Sequence, residues 1–271
     1  MIFSDIHVHT TYCDGKNSAE ETVLAALEKN FVSIGFSGHS YTSFDSGWCM
    51  SEKGTEKYIG EVLLLREKYK DRIDILLGTE RDFFADPDSH AYDYVIGSSH
   101  YVRVGNTYLT VDESAAAQKY AADEFFGGDI YGFVAAYYRQ EAQIIQKTGC
   151  DVIGHFDLIT KYNENGKMFD EDSGRYKKTV YETLEQLIPS KPFFEINTGA
   201  MTRGYRSRPY PADFITDYVA EHGCGLVITS DCHRKEQLGG FFDETEKRLR
   251  ARGINNIFVA TKNGFRLAEE Y

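Results

Sequence analysis

The chain lacks any apolar run approaching the ~20 residues that a bilayer-spanning helix needs. It opens directly into a strand-like run, with no basic and then apolar leader. Neither a membrane protein nor a secreted one is expected. Cysteine is sparse: Cys13, Cys49, Cys150, Cys224 and Cys232 are widely spaced, odd in number and form no C-x-x-C pair. That argues against a disulfide framework or a structural zinc site, and for a reduced, cytoplasmic chain. Basic residues are outnumbered, 30 Lys and Arg against 42 Asp and Glu, and the formal net charge of −12 disfavours a general nucleic-acid binder. A small phosphorylated substrate stays compatible with that acidity, because bound divalent cations make one pocket locally positive. No linker, low-complexity tract or repeat divides the chain.

What is present suffices for a large core: 271 residues, 42% hydrophobic and 14% aromatic. The length suits a (β/α) barrel of about 250 residues. Strand-like runs occur at Ile2–His9, Val32–His39, Ile73–Glu80, Tyr94–His100, Asp151–Asp157, Phe193–Asn197, Leu226–Asp231 and Ile257–Ala260. Amphipathic stretches lie between them. Ser18-Ala-Glu-Glu21 reads as a capping box that opens a helix to about Asn30. Further helices are expected at Glu56–Tyr69, Glu113–Thr148 with a break near Gly127-Gly128, Tyr176–Leu187, Ala212–His222 and Glu244–Arg252. This alternation predicts parallel strands joined by right-handed crossovers, in one α/β domain spanning residues 1–271. Tyr41–Thr55, which contains Trp48 and Met50, and Tyr101–Ala117 read as loops over the face where strands end, the functional face of a barrel.

Clusters of metal-binding residue types fall at those strand ends. In Asp5-Ile-His7-Val-His9 the period of two puts a carboxylate and two imidazoles on one side. Asp14 follows in a turn able to fold back over the site. His39, Glu80, His100, His155, Asp231 and His233 close the later runs. Six histidines with Asp14, Glu80 and Asp231 make nine potential ligands, too many for one ion and suited to two or three. Asp157 reads equally as a ligand or as a turn residue bonding the backbone. Lys161 and Arg203 follow strand ends and read as substrate contacts or as solvated cations. For Arg206 and Arg208 the solvated reading is favoured, and for Tyr205 and Tyr210 a packing role. His222 reads as the C-terminal residue of a helix, and His90 as an exposed residue of a polar run.

These motifs, in the order Asp5-Ile-His-Val-His-Thr10, Ser37-Gly-His39, Glu80, Gly97-Ser-Ser-His100, Gly154-His155 and Ser230-Asp-Cys-His233, resemble the polymerase-and-histidinol-phosphatase (PHP) family. Within it the chain is most similar to the stand-alone L-histidinol phosphate phosphatases, through Leu77-Gly-Thr-Glu80, Tyr94-Val-Ile-Gly-Ser-Ser-His100, the stretch Gly154–Asn163 and Glu195-Ile-Asn197. The resemblance implies a distorted (β/α)7 TIM-like barrel with two or three divalent ions, for which zinc, manganese and iron all qualify. It implies that His7, His9, Glu80 and Asp231 hold a first ion. Glu80 would bridge to a second, completed by His100 and His155, and His39 and His233 would hold a third. Many members carry a histidine where this chain has Asp14, which is expected to serve there. Asp5 is expected behind the ligands, orienting a histidine through its free ring nitrogen. The activity implied is hydrolysis of L-histidinol phosphate by a metal-bridging hydroxide attacking phosphorus in line. Asp231, His233 or a coordinated water would protonate the leaving alkoxide. Alternatives are a PHP phosphoesterase for another small phosphate such as a nucleotide, or a non-catalytic metal-binding module. The oligomeric state is left open.

Overall fold

The computed structural model describes residues 4–270, so Ile2 and Phe3 of the first expected strand lie outside the described residues. Eleven strands follow in chain order: β1 (Ser4–Asp5), β2 (Ser33–Phe36), β3 (Asp74–Asp82), β4 (Tyr94–Ser98), β5 (Tyr101–Val104), β6 (Thr107–Thr110), β7 (Val152–Ile153), β8 (Phe193–Asn197), β9 (Gly225–Thr229), β10 (Ile257–Thr261) and β11 (Gly264–Leu267). The helices are α1 (Ala19–Glu28), α2 (Glu52–Tyr69), α3 (Ala115–Phe125), α4 (Ile130–Glu141), α5 (Ile144–Thr148), α6 (Gly174–Leu187), α7 (Gly199–Thr202), α8 (Asp213–Glu221) and α9 (Phe242–Ala251).

One sheet runs β1-β2-β3-β4-β7-β8-β9-β10-β11, parallel throughout except for the last pair. It curls until its first strand meets its seventh. Val8 bridges Cys232 in parallel, the amide of His9 donates to Cys232 O at 3.0 Å, and the amide of Cys232 donates to His7 O at 3.1 Å. The seven strands β1 to β4 and β7 to β9 thus form the expected distorted barrel. β10 and β11 continue past β9, and Ser4 Oγ reaches back to Ala260 O of β10 at 3.2 Å.

Helices cover one face of the sheet. There Val23, Tyr58, Val62, Val180, Leu184, Val219 and Leu249 join Ile34, Ile75, Phe194 and Leu226 in the larger apolar core. Ser18 caps α1 in the expected box with Glu21. The long stretch after Glu113 breaks at Gly127 and Gly128, both at positive φ, and again near Gln143, which periodicity does not reveal. Inside the curl a smaller cluster of Ile6, Leu76, Tyr94, Ile96, Val152, Val227 and Ala260 forms a floor. The period of two carries the same face of each strand upward from that floor: Leu76 to Gly78 and Glu80, Phe193 to Glu195 and Asn197, Val227 to Thr229 and Asp231. Polar side chains therefore begin where the floor ends. The segment Tyr101–Ala117, expected as a loop, instead contains the hairpin β5–β6.

Candidate metal centre

Because the barrel strands are parallel, their C-terminal ends share one rim. Glu80, on β3, is the hub of that rim. Its Oε2 lies 3.2 Å from His7 Nε2, 3.5 Å from His9 Nε2 and 2.8 Å from His39 Nδ1. Its Oε1 lies 3.0 Å from His155 Nε2 and 3.5 Å from His100 Nε2. Asp231 Oδ1 is 3.3 Å from His9 Nε2, 3.7 Å from His7 Nε2 and 3.5 Å from His233 Nδ1. Asp14 folds back as expected, with Oδ2 at 3.0 Å from His233 Nε2 and Oδ1 at 3.6 Å from His39 Nε2. All nine residues singled out in the sequence come together. They fall into four overlapping groups: His9, Asp14, His39 and His233; His7, Glu80 and His155; His7, His9 and Asp231; His39, Glu80 and His100.

These residues fit divalent metal ions on their own chemistry. His7 Nε2, His9 Nε2, Asp14 Oδ1 and Glu80 Oε2 are all buried and make no hydrogen bond. Buried polar atoms are almost always bonded, and converging imidazole and carboxylate lone pairs are what divalent ions bind. Without an ion, the site balances its charge with protons. Burial alone would neutralise His7, but the carboxylates of Glu195, Glu80 and Asp231 lift it well above its ordinary value. Burial likewise works against ionising Glu80, yet His39 and His7 hold it well below the usual carboxylate range. His9 goes the other way: burial, then the neighbouring His233 and His39, press it down to about 3. Metal binding exchanges such protons for ions.

Behind the rim stand residues to which the sequence reading attached no such role. Glu195 Oε1 accepts from His7 Nδ1 at 2.5 Å. Asp82 Oδ2 lies 3.1 Å from His100 Nδ1 and accepts the amide of His100 at 3.0 Å. Against burial, that bond and the Glu80 charge raise His100 to about 10. Asp5 corrects an expectation. It does not touch a histidine ring; its carboxylate accepts the amides of His7 and Ser230 at 3.2 and 3.1 Å, and the Ser230 hydroxyl. Asp5 ties the first strand to the end of β9, and Glu195 takes the ring-orienting contact expected of it. The sequence signals for Glu195 are an acid inside an apolar strand and its place in Glu195-Ile-Asn197, a stretch that carries the family resemblance without giving this residue a role.

A cavity of about 580 Å³ opens over the rim, lined among others by Trp48, Glu80, Asp112, Lys161, Tyr210 and His233. Lys161 and Arg203 both line it, but neither is a free cation. Lys161 Nζ donates to Asp112 O and Oδ2 at 2.8 and 3.0 Å. Arg203 grips Asp231, with Nη1 on its carbonyl at 2.8 Å and Nη2 on Oδ2 at 2.9 Å. Asp157 belongs to none of the four groups; it accepts the amide of Ala212 at 2.9 Å, a backbone contact made across 55 residues rather than within a turn. His222 ends α8, as its glycine neighbour suggested.

The PHP domain family matches residues 5–199. A Bacillus subtilis protein named histidinol-phosphatase is 25% identical over 261 residues, covering 87% of this chain and 95% of its own length. A Schizosaccharomyces pombe protein named "Probable histidinol-phosphatase" is 24% identical over 278 residues, covering 94% of this chain and 89% of its own. Among solved structures, HisK of Listeria monocytogenes matches with a TM-score of 0.75 at 20% identity, over 89% of this chain and 99% of that one. The histidinol phosphate phosphatase of Lactococcus lactis subsp. lactis, complexed with zinc, L-histidinol and phosphate, matches with a TM-score of 0.70 at 16% identity, over 97% and 98%. At these identities the structural likeness speaks for the fold.

Proposed function

The chain belongs to the PHP domain family, and from that premise we propose that it is a metal-dependent phosphomonoesterase that hydrolyses L-histidinol phosphate to L-histidinol and phosphate. The observation that carries this reading is the Glu80 carboxylate, with five imidazole nitrogens within 3.5 Å of its two oxygens. A carboxylate so surrounded can share its oxygens between ions. Relatives named for this activity, similar over most of the chain, support the choice of substrate.

In this reading His7, His9, Glu80 and Asp231 hold one ion, Glu80 with His100 and His155 a second, and Asp14, His39 and His233 a third. Two or three ions are bound, and zinc, manganese and iron all suit the donors. Bound divalent ions supply Lewis-acid chemistry: they neutralise phosphoryl oxygens and lower the pKa of water from 15.7 to about 7. The chain's own residues do the rest. Arg203 fixes Asp231 with two hydrogen bonds, and it and Lys161, which is paired with Asp112, line the cavity where a phosphate would meet their N–H groups. Against burial, Arg203 and His7 hold the Asp231 carboxyl well below the usual carboxylate range, so of the three candidates His233, which also lines the cavity, or a coordinated water would protonate the departing alkoxide. Residues 1–271 act as one metallohydrolase barrel. A cytoplasmic setting accords with five free cysteines. Among the described residues, no helix is long and apolar enough to cross a membrane.

The test is metal content per chain, followed by phosphate release from L-histidinol phosphate, nucleoside monophosphates and a short DNA strand. Fast release from L-histidinol phosphate is expected. With metals bound, release from none of them overturns the enzymatic reading. Preference for a nucleotide overturns the substrate and points to another small-phosphate phosphoesterase.

A further inference from the structure

Glu195 is a fully buried carboxylate in β8, a strand otherwise made of Phe193, Phe194, Ile196 and Asn197. An ionised acid in such a place is costly unless its lone pairs are filled. Here all of them are. Oε1 accepts from His7 Nδ1 at 2.5 Å and from Thr229 Oγ1 at 2.6 Å. Oε2 accepts the amide of His155 at 2.6 Å and Asn197 Nδ2 at 3.0 Å. Four donors on two oxygens leave no lone pair for a metal, so Glu195 is not itself a ligand.

We propose that Glu195 is the positioning residue that sets the tautomer of His7 and anchors the backbone of His155, coupling ligands of two different ions through one carboxylate. This rests on the metal centre proposed above. An ionised carboxylate can only accept, so once an ion has displaced the other proton, the one that His7 keeps sits on Nδ1. That leaves the Nε2 lone pair directed at the space between Glu80 Oε2 and Asp231 Oδ1, at 3.2 and 3.7 Å. The same carboxylate holds the amide of His155, whose Nε2 faces the other oxygen of Glu80. His7 and His155 thus approach opposite oxygens of the bridging residue from a common brace. Asn197 extends that brace: its Nδ2 is also 3.4 Å from Asp231 Oδ2, and its Oδ1 accepts the amide of Gly199 at 2.8 Å. Glutamine is isosteric but has one oxygen and one NH2, so Glu195→Gln must turn a donor towards either the His7 and Thr229 pair or the His155 and Asn197 pair.

The test uses the whole chain labelled with 15N-histidine. In the zinc-loaded wild type, His7 is expected to show its proton on Nδ1 as a downfield signal, alongside a second such signal from His100 held by Asp82. In Glu195→Gln the His7 signal should vanish and the His100 signal remain, with zinc affinity 10–100-fold weaker, the usual cost of losing a partner behind a ligand. Circular dichroism of the metal-free variant checks that it folds. Zinc affinity unchanged in folded Glu195→Gln overturns the proposal, and so does a wild-type His7 protonated on Nε2. That second result needs no variant and decides the matter if Glu195→Gln fails to fold. A wild type that binds no zinc, manganese or iron overturns instead the metal centre on which the proposal rests.

Discussion

Glu80 is 1% exposed, and its two oxygens face different histidines. Glu80→Ala removes both faces at once. Turnover should fall by more than the ~100-fold that follows loss of a supporting partner alone, and bound metal should fall with it. Near-normal phosphate release with an unchanged metal count would refute the bridge. Glu141 raises a separate matter of pH. It is buried at the end of α4, and burial, partly offset by the neighbouring Ser99 hydroxyl, pushes its carboxyl up to about 8. Its folded pKa therefore lies above its unfolded value, which for a glutamate is ordinarily 4.5. The resulting contribution to stability is full below pH 4.5 and is lost as pH rises through 8. Glu141→Gln should flatten that decline, melting above the wild type at pH 8–9 and showing less change from pH 5 to 9; superimposable melting profiles for the two proteins would contradict it. The nine proposed ligands were readable because eight stand at the ends of strand-like runs and Asp14 in the turn that follows the first. The contacts behind them were not, since Asp5 meets Ser230 across 225 residues and His7 meets Glu195 across 188.

At the level of elements, the floor beneath the centre depends on one aromatic ring passing between two glycines. Tyr94 of β4 donates its hydroxyl to Ile6 O at 2.6 Å, with Phe36 O at 3.0 Å. A Cβ placed on Gly78 of β3 would stand 2.2 Å from the Tyr94 ring, and one on Gly35 of β2 would stand 2.5 Å from its hydroxyl. Gly78→Ala should therefore cost about 1–3 kcal/mol through overpacking, lowering the melting temperature by several degrees. An unshifted melting curve would mean that the ring moves aside freely. The eight parallel strands were legible in the sequence because each is an apolar run and most are separated by helix-period segments. The β5–β6 hairpin was not read, although its signal is there: Tyr101–Val104 and Thr107–Thr110 flank Gly105-Asn106, with Gly105 at φ +60°, a two-residue turn that favours glycine. Its position inside a stretch read as a covering loop hid it. β11 is four residues long and mostly exposed, with too little burial to impose a pattern.

For the whole molecule, the two apolar clusters contain none of the nine proposed ligands. Chelation should therefore lower the melting temperature without unfolding the chain. Restoring an ion to 100 times its Kd should return about 2.7 kcal/mol, a gain that shrinks below about pH 6 as the imidazoles must give up protons to bind. Thermal melts with and without chelator check this; no change, or complete unfolding, would contradict it. Eight strand-like runs could be read from the sequence and a seven-stranded barrel from the family resemblance, whereas the closing contact could not, because nothing near Val8 or Cys232 marks one as the other's neighbour. That contact also orders events in time. His7 and His9 flank one side of the Val8–Cys232 bridge, and Asp231 and His233 flank the other. A ribosome adding ~5–20 residues per second takes on the order of 10–45 s to travel from one side to the other. Throughout that interval the nascent chain carries its early histidines with no cage to put them in, so capture of the full set of ions waits until Asp231 and His233 have been made.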